Sequence, residues 1–388
     1  MKVVVNISAL TPPLTGIGRY TYHMLKGLLN HPGVSDIQGI SPSGLHDRAT
    51  IETRLQQLDS ISSSAPSKGL RQLFAKVPGA RLGWRLLGYI QALRYRRQLT
   101  GWVYWEPGFS LLPLQCPSVA TLYDLSHMRH PDYHPGHRVK LLSRTIPHTL
   151  ARASRILTIS EFTRSELHAL LSPKQPVDIA HPGIDSVFFD VTQADIERCR
   201  GRHCLPEQFI LSLGTLEPRK NLTGLIQAFR DLPETLRSQY PLVIAGAKGW
   251  RDSSINSAIA ELTEQGEALV LGYVDQHDIP ALYAAASLTA YVSHYEGFGM
   301  PVAESMAAGT AVLTSNVTSM PEVAAGNAIT ANPGDTRDIT AKLKMLLSTP
   351  ELREQLAAAG RIRARDFTWV QATDTLAGSL GACKSHHR

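Results

Sequence analysis

The chain has 388 residues, 43% of them hydrophobic and 19% charged, a length that suggests two domains or three. Near-average glycine and proline exclude collagen-like and low-complexity classes, and a mean hydropathy of −0.10 with no long apolar run argues against a transmembrane helix. Four cysteines (Cys116, Cys199, Cys204, Cys383) are too few for a disulfide scaffold and fit a reducing compartment. The opening Met1–Ser8 stretch has too short an apolar run for a signal peptide and no small-residue cleavage site, so a cytoplasmic protein is expected.

The net charge of +6 is unevenly spread. Residues 1–190 carry 21 Lys and Arg against 12 Asp and Glu, and residues 191–388 carry 18 against 21. Between Asp59 and Glu106 there is no acid but eight bases: Lys68, Arg71, Lys76, Arg81, Arg85, Arg94, Arg96 and Arg97. Leu70, Phe74, Leu82, Trp84, Leu87, Tyr89, Ile90 and Leu93 interleave with them. A basic amphipathic stretch over 68–97 reads as a peripheral contact with the inner face of the cytoplasmic membrane, or as one or two helices with a solvated basic face. Nucleic-acid binding is not expected, because no nucleic-acid motif accompanies the charge.

In chain order, Lys2–Ser8 reads as a strand, Ala9–Gly18 as a loop and Arg19–Asn30 as a helix. Strand Ser118–Asp124, helix Arg138–Ala153, strand Arg155–Ile159, a helix capped by Ser160, and strand Val177–Ala180 follow. The second half alternates more regularly. Its strands are Phe209–Leu213, Leu242–Ala245, Ala268–Gly272, Leu288–Val292 and Ala311–Thr314. Its helices are Asn221–Arg230, Ser254–Gln265, Asp278–Ala286, one opening at Pro301, Thr336–Leu347 and Pro350–Arg365. Thr349 and Pro350 form an N-cap and N1 pair. This beat implies an α/β protein with two Rossmann-like domains facing a central cleft. The expected boundaries are 1–188, 189–368 and a terminal helix 369–388 that returns to the first domain. Cys199, His203 and Cys204 then fall in a linker, with no chemical role assigned.

Chemistry concentrates in two strand-end loops. His294–Gly309 (HYEGFGMPVAESMAAG) joins a strand end to a Gly-x-Gly turn and a helix start. Such a turn lets backbone approach a ligand, and the helix N-terminus favours an anion such as a diphosphate. Glu296 and Glu304 suit sugar and ribose hydroxyls better than phosphate. Gly214–Asn221 (GTLEPRKN) places Arg219 and Lys220 before a helix, where they can meet a diphosphate.

Together with Ile159–Thr163, His181–Asp185, Leu271–Val274 and Met320–Val323, these residues resemble the retaining nucleotide-sugar glycosyltransferases of family 4, which have the GT-B fold. The likeness extends over nearly the whole chain and is strongest over 207–325. The wording is most similar to the bacterial mannosyl/rhamnosyl branch of surface-polysaccharide synthesis, whose donors are often GDP-sugars. A UDP-sugar donor, or a silent nucleotide-sugar-binding partner of another transferase, stays as the alternative. The resemblance implies that Glu296 binds the donor sugar and that Phe298, Gly299 and Met300 offer backbone to sugar and diphosphate. It implies Glu304 on the ribose, Lys220 with Arg219 on the leaving diphosphate, Gly214 and Thr215 beside it, and Tyr273 and Val274 beside the base. Gly16 or Gly18 would reach the diphosphate from the first domain. The acceptor would be a glycan or a polyprenyl-linked glycan.

Two departures stand out. Thr215 occupies a position where many members of that family have Arg, and Tyr123 occupies one where many have His. Asp124 with Tyr123 is the expected substitute for that His, with His127, His130 or His134 nearby as the alternative; otherwise these histidines and His137 read as a surface loop. No Asp-x-Asp motif occurs, so no metal or other cofactor is expected; Lys220, Arg219 and the helix dipole would stabilise the leaving group. A front-face path with retention follows from the resemblance, since no nucleophile stands out.

Overall fold

The computed structural model describes residues 1–12, 14–61, 80–247 and 253–385. The chain forms two compact units. One comprises Met1–Met128, His134–Gly183 and Trp369–Arg388; the other comprises Arg129–Tyr133 and Ile184–Thr368. The division at Gly183 falls a few residues before the expected 188, and Arg129–Tyr133 groups with the second unit.

Among the described residues the first unit holds seven strands: β1 Lys2–Asn6, β2 Asp36–Ser41, β3 Gly44–His46, β4 Val103–Glu106, β5 Ser118–Leu122, β6 Arg155–Thr158 and β7 Val177–Ile179. Their order is β3-β2-β1-β4-β5-β6-β7, parallel except for the edge pair β2–β3. Val3, Val4 and Val5 are all buried, as expected for a parallel strand covered on both faces. Two interior strands, β2 and β4, fall where the sequence reading marks none. β1 stops at Asn6, whose Oδ1 accepts from Ser8 N at 3.1 Å and turns the chain.

The following helix runs Gly16–Asn30, three residues longer at its start than expected. Thr15 caps it by accepting from Gly18 N at 3.2 Å. Gly16 and Gly18 therefore lie in a helical first turn and not in a loop. A Cβ on Gly18 would meet the Ala9 carbonyl at 2.8 Å, so this glycine serves local packing, whereas Gly16 has open space around it. The last helix, Trp369–Ser385, packs in this same unit against helix Gly16–Asn30 and against β4 to β7. Trp369 stacks on His23 at 4.3 Å between ring centres. A Cβ on Gly27 would meet Thr373 Oγ1 at 2.2 Å, so glycine is what lets the two helices close.

The second unit holds β8 Ile210–Leu213, β9 Leu242–Ala245, β10 Ala268–Gly272, β11 Leu288–Tyr291, β12 Val312–Ser315 and β13 Ile329–Ala331, all parallel in the order β10-β9-β8-β11-β12-β13. Its core joins Phe229, Leu225 and Ile226 of helix Leu222–Arg230 to Ile244, Leu288, Leu313, Ile339 and Leu343. Each such buried side chain contributes about 1.5–3 kcal/mol by leaving water.

The segment expected as a linker is structured. Gln193–His203 is a helix with a capping box between Thr192 and Asp195. It packs on helix Ile279–Ala285, with Cys199 buried. His203 Nε2 lies 2.9 Å from Asp278 Oδ2, and Arg202 reaches the same carboxylate at 2.9 Å. His203 thus has a structural role that the linker reading did not give it.

Candidate active site

Strand order decides the site. In the second unit the order reverses between β8 and β11, and Leu288 pairs with Ile210 there. Ligands of open parallel sheets lie outside the carboxyl ends of the strands at such a point. The Gly214–Asn221 loop leaves β8 and the Ser293–Gly299 loop leaves β11, so the two motifs meet. His294 N donates to the Arg219 carbonyl at 2.8 Å and ties them together.

At the junction, the buried Glu296 carboxylate accepts from Lys220 Nζ at 2.6 Å on Oε1 and from Arg219 Nη1 at 2.7 Å on Oε2. Tyr291 OH adds a third donor to Oε1 at 2.8 Å, and Lys220 Nζ also contacts that hydroxyl. Arg219 spends its other arm on Glu217 at 2.5 Å, so two cations and two carboxylates interlock. Burial alone would raise the Glu296 pKa, but the charges of Arg219 and Lys220 overcome it and hold the acid down at about 2. Burial lowers the Lys220 pKa, against the pull of Glu296. The backbone of Glu296 is fixed from the next loop: its N–H donates to Thr318 Oγ1 at 3.4 Å and its carbonyl accepts from Ser319 Oγ at 3.0 Å.

The turn after Glu296 takes the conformation its glycines allow. Gly299 has φ 97° and caps helix Met300–Ala307, which opens one residue before the expected Pro301. Phe298 is buried edge-on to Phe367 at 5.2 Å between ring centres. Glu304 is buried in this helix and accepts from Tyr283 OH at 3.3 Å. On the β8 side, Gly214, Thr215, Lys220 and Tyr291 line one small cavity of about 10 Å³. A Cβ on Gly246 at the end of β9 would sit 1.9 Å from the Gly214 carbonyl, so Gly246 permits the close approach of that loop. Tyr273 is exposed and Val274 is buried, so only the tyrosine ring of that pair is presented at the surface.

The first unit places its expected residues differently. Tyr123, just past β5, is buried, and its hydroxyl donates to the Pro107 carbonyl at 2.7 Å. Its ring packs edge-on against Tyr20 and Phe109. The hydroxyl is thus committed to holding the loop after β4, which leaves Asp124 as the acid of the pair. Asp124 Oδ1 accepts from Ser126 N at 3.0 Å and Ser126 Oγ at 2.6 Å, and Ser126 Oγ lies 2.9 Å from His134 Nε2. With the serine proton on Asp124, His134 Nε2–H is the donor to Ser126, which orders Asp124, Ser126 and His134 in one series. Two of the histidines expected in a surface loop are not at the surface: His127 and His134 are buried, and burial lowers the His127 pKa, whereas His137 is exposed. His130 and Tyr133 lie in the second unit, where Tyr133 stacks on His294 with ring centres 6.0 Å apart and His130 meets Tyr295 edge-on at 5.5 Å.

The sequence reading missed Glu106. At the carboxyl end of β4 it faces Asn6 of β1, across the point where the first sheet reverses order. It accepts from Asn6 Nδ2 at 2.9 Å, from Gly108 N at 2.9 Å and from Tyr104 OH. Burial raises its pKa to about 7, against these donors. The signal was the β-prone run Val103-Tyr104-Trp105 ending in Glu106-Pro107-Gly108. Tyr291 and Thr318 carry no motif of their own, and Glu217 sits inside the Gly214–Asn221 motif without a role read for it.

Comparison with known proteins places this geometry in a context. The family model described as glycosyl transferases group 1 matches residues 196–363. The chain is 33% identical over 377 residues to the O-antigen chain mannosyltransferase B of Escherichia coli, covering 96% of this chain and 97% of that protein. It is 22% identical over 356 residues to the O-antigen chain mannosyltransferase RfbU of Salmonella typhimurium, covering 90% and 92%. Among solved structures, Anabaena HepE in complex with UDP and glucose superposes with a TM-score of 0.71 at 17% identity, covering 98% of this chain and 100% of that one. WaaG, a glycosyltransferase involved in lipopolysaccharide biosynthesis, gives 0.68 at 17% identity over 98% and 99%. At such identities the structural likeness shows the fold, which is GT-B.

Proposed function

From the premise that the chain belongs to the group 1 glycosyl transferases, we propose that it moves mannose from GDP-mannose onto a glycan or lipid-linked acceptor in surface-polysaccharide synthesis. The observation that carries the reading is the buried Glu296 clasped by Arg219 and Lys220 at the reversal point of the second sheet. An ionised Glu296 is acceptor-only, so it suits donor-sugar hydroxyls. A diphosphate entering beside helix Met300–Ala307 competes with Glu296 for Arg219 and Lys220, and the exchange releases carboxylate oxygens to the sugar. In the bond-breaking step the two cations take the growing negative charge on the leaving phosphate, with no metal required. Retention follows a front-face path in which the departing phosphate oxygen receives the acceptor proton.

Helix Ala80–Tyr95 supports a peripheral membrane contact, since Trp84, Leu86, Leu87 and Ile90 are exposed on it beside Arg85 and Arg94. Lys68, Arg71 and Lys76 of the expected stretch lie outside the described residues.

Thermal shift with GDP-, UDP-, ADP- and dTDP-sugars, run with and without EDTA, tests the donor. A saturable shift with GDP-mannose in EDTA, lost in Glu304→Ala, is expected. A shift with UDP-sugars only would reassign the donor, a shift with no donor hydrolysis or transfer would favour a silent nucleotide-sugar-binding partner, and no shift with any donor would defeat the donor site. Flotation with vesicles containing anionic lipid tests the membrane contact: Trp84→Ala/Leu87→Ala should lose it.

A further inference from the structure

A second polar groove lies at the β2–β3 edge of the first unit. Gln38 of β2, Leu45 and His46 of β3, Asp47 and Thr50 at the start of helix Arg48–Ile61, and Tyr95 and Gln98 after helix Ala80–Tyr95 line a space of about 350 Å³. That is within the range of about 300–1,000 Å³ typical of ligand sites. It shares no residue with Asn6, Glu106 or Asp124 at the strand carboxyl ends.

Its chemistry is selective. Among the described residues no lysine or arginine lines it, which disfavours an anion, and Leu45 and the Tyr95 ring are the apolar part of that lining, which disfavours a lipid tail. What remains is two amides, a carboxylate, a hydroxyl, an imidazole and one aromatic ring. Among the described residues Gln38 Oε1 is buried there with no hydrogen-bond partner, which is unfavourable unless a ligand or water donates to it. Asp47 spends Oδ1 on Thr50 N at 2.9 Å and Thr50 Oγ1 at 2.6 Å, so its second oxygen remains an acceptor. His46 Nε2 is held by Ser41 Oγ at 2.9 Å, which fixes the ring. Amides and carboxylates bridge vicinal hydroxyls, and a tyrosine ring takes the C–H face of a pyranose.

We propose that this groove binds a glycan segment, holding sugar units of a polymeric acceptor away from its reacting end. The inference rests on the transferase reading for the identity of the glycan. A carbohydrate fits this lining in the way a charged or lipid ligand does not.

The test uses the full chain and α-linked mannotetraose as probe, with binding measured by calorimetry in the absence of donor. Asp47→Asn keeps a capping side chain and removes the charge, and Gln98→Ala truncates an exposed residue, so both should fold as the parent does. Each is expected to weaken tetraose binding at least five-fold. Each should also raise KM for a long glycan acceptor, with kcat and the KM for a disaccharide acceptor unchanged. Parental affinity in both variants, or no tetraose binding by the parent at millimolar concentration, overturns the groove. Failure of the transferase reading shows separately, as loss of the GDP-mannose shift and of transfer to the disaccharide.

Discussion

Lys220 and Glu296 sit 76 residues apart in sequence and form a buried ion pair of 2.6 Å, with Lys220 Nζ also 4.8 Å from the centre of the Tyr291 ring. In the reaction proposed above, this carboxylate holds both cations until a diphosphate replaces it. Lys220→Ala should lower kcat by about 10²-fold or more, the scale for removing a preorganised charge from a developing anion. Unchanged kcat with a raised KM would assign Lys220 to ground-state binding instead.

Glu296 also ties stability to pH. Its folded pKa of about 2 lies below its ordinary 4.5, so the stabilisation is complete above pH 5 and is lost as pH falls toward 2. Urea unfolding of the parent should show this loss, and Glu296→Gln should flatten it. Equal pH slopes for the two proteins would mean the acid is not held down in the fold.

Glu106 works with the opposite sign. Its folded pKa of about 7 is above the ordinary 4.5, so burying it costs stability progressively as pH rises from about 5 to 7. Glu106→Gln should gain relative stability across that window, visible as a Tm difference between parent and variant that grows with pH. A difference independent of pH would show that only hydrogen-bond geometry had changed.

Gly246→Ala should be among the more damaging small substitutions. The added methyl meets the Gly214 carbonyl at 1.9 Å, from a backbone at φ 149°. A loss of about 1–3 kcal/mol is the ordinary cost of overpacking. The larger effect should be on donor binding, because the Gly214 loop must retreat. Gly266→Ala, in open space at φ 71°, separates backbone strain from this steric clash: it should lower Tm without weakening the donor-induced shift.

Local chemistry is legible in the residues alone. The turn Glu296–Pro301, the bases Arg219 and Lys220, and most strands and helices of the second half are visible because glycine freedom, capping and apolar periodicity act over a few residues. Gly16 and Gly18 look like loop formers in the sequence, but Thr15 caps them into helix Gly16–Asn30. Strand order is set by which surfaces bury one another across the chain, so it emerges with the folded sheet and cannot be read along the sequence. It placed β8 beside β11, so that Glu296 meets both cations, and β4 beside β1, so that Glu106 meets Asn6. It also turned the Tyr123 hydroxyl onto Pro107 and buried His127 and His134. Ionisation followed from the same source: desolvation and neighbouring charge, which push Glu106 up and hold Glu296 down, exist only once distant segments have enclosed each group.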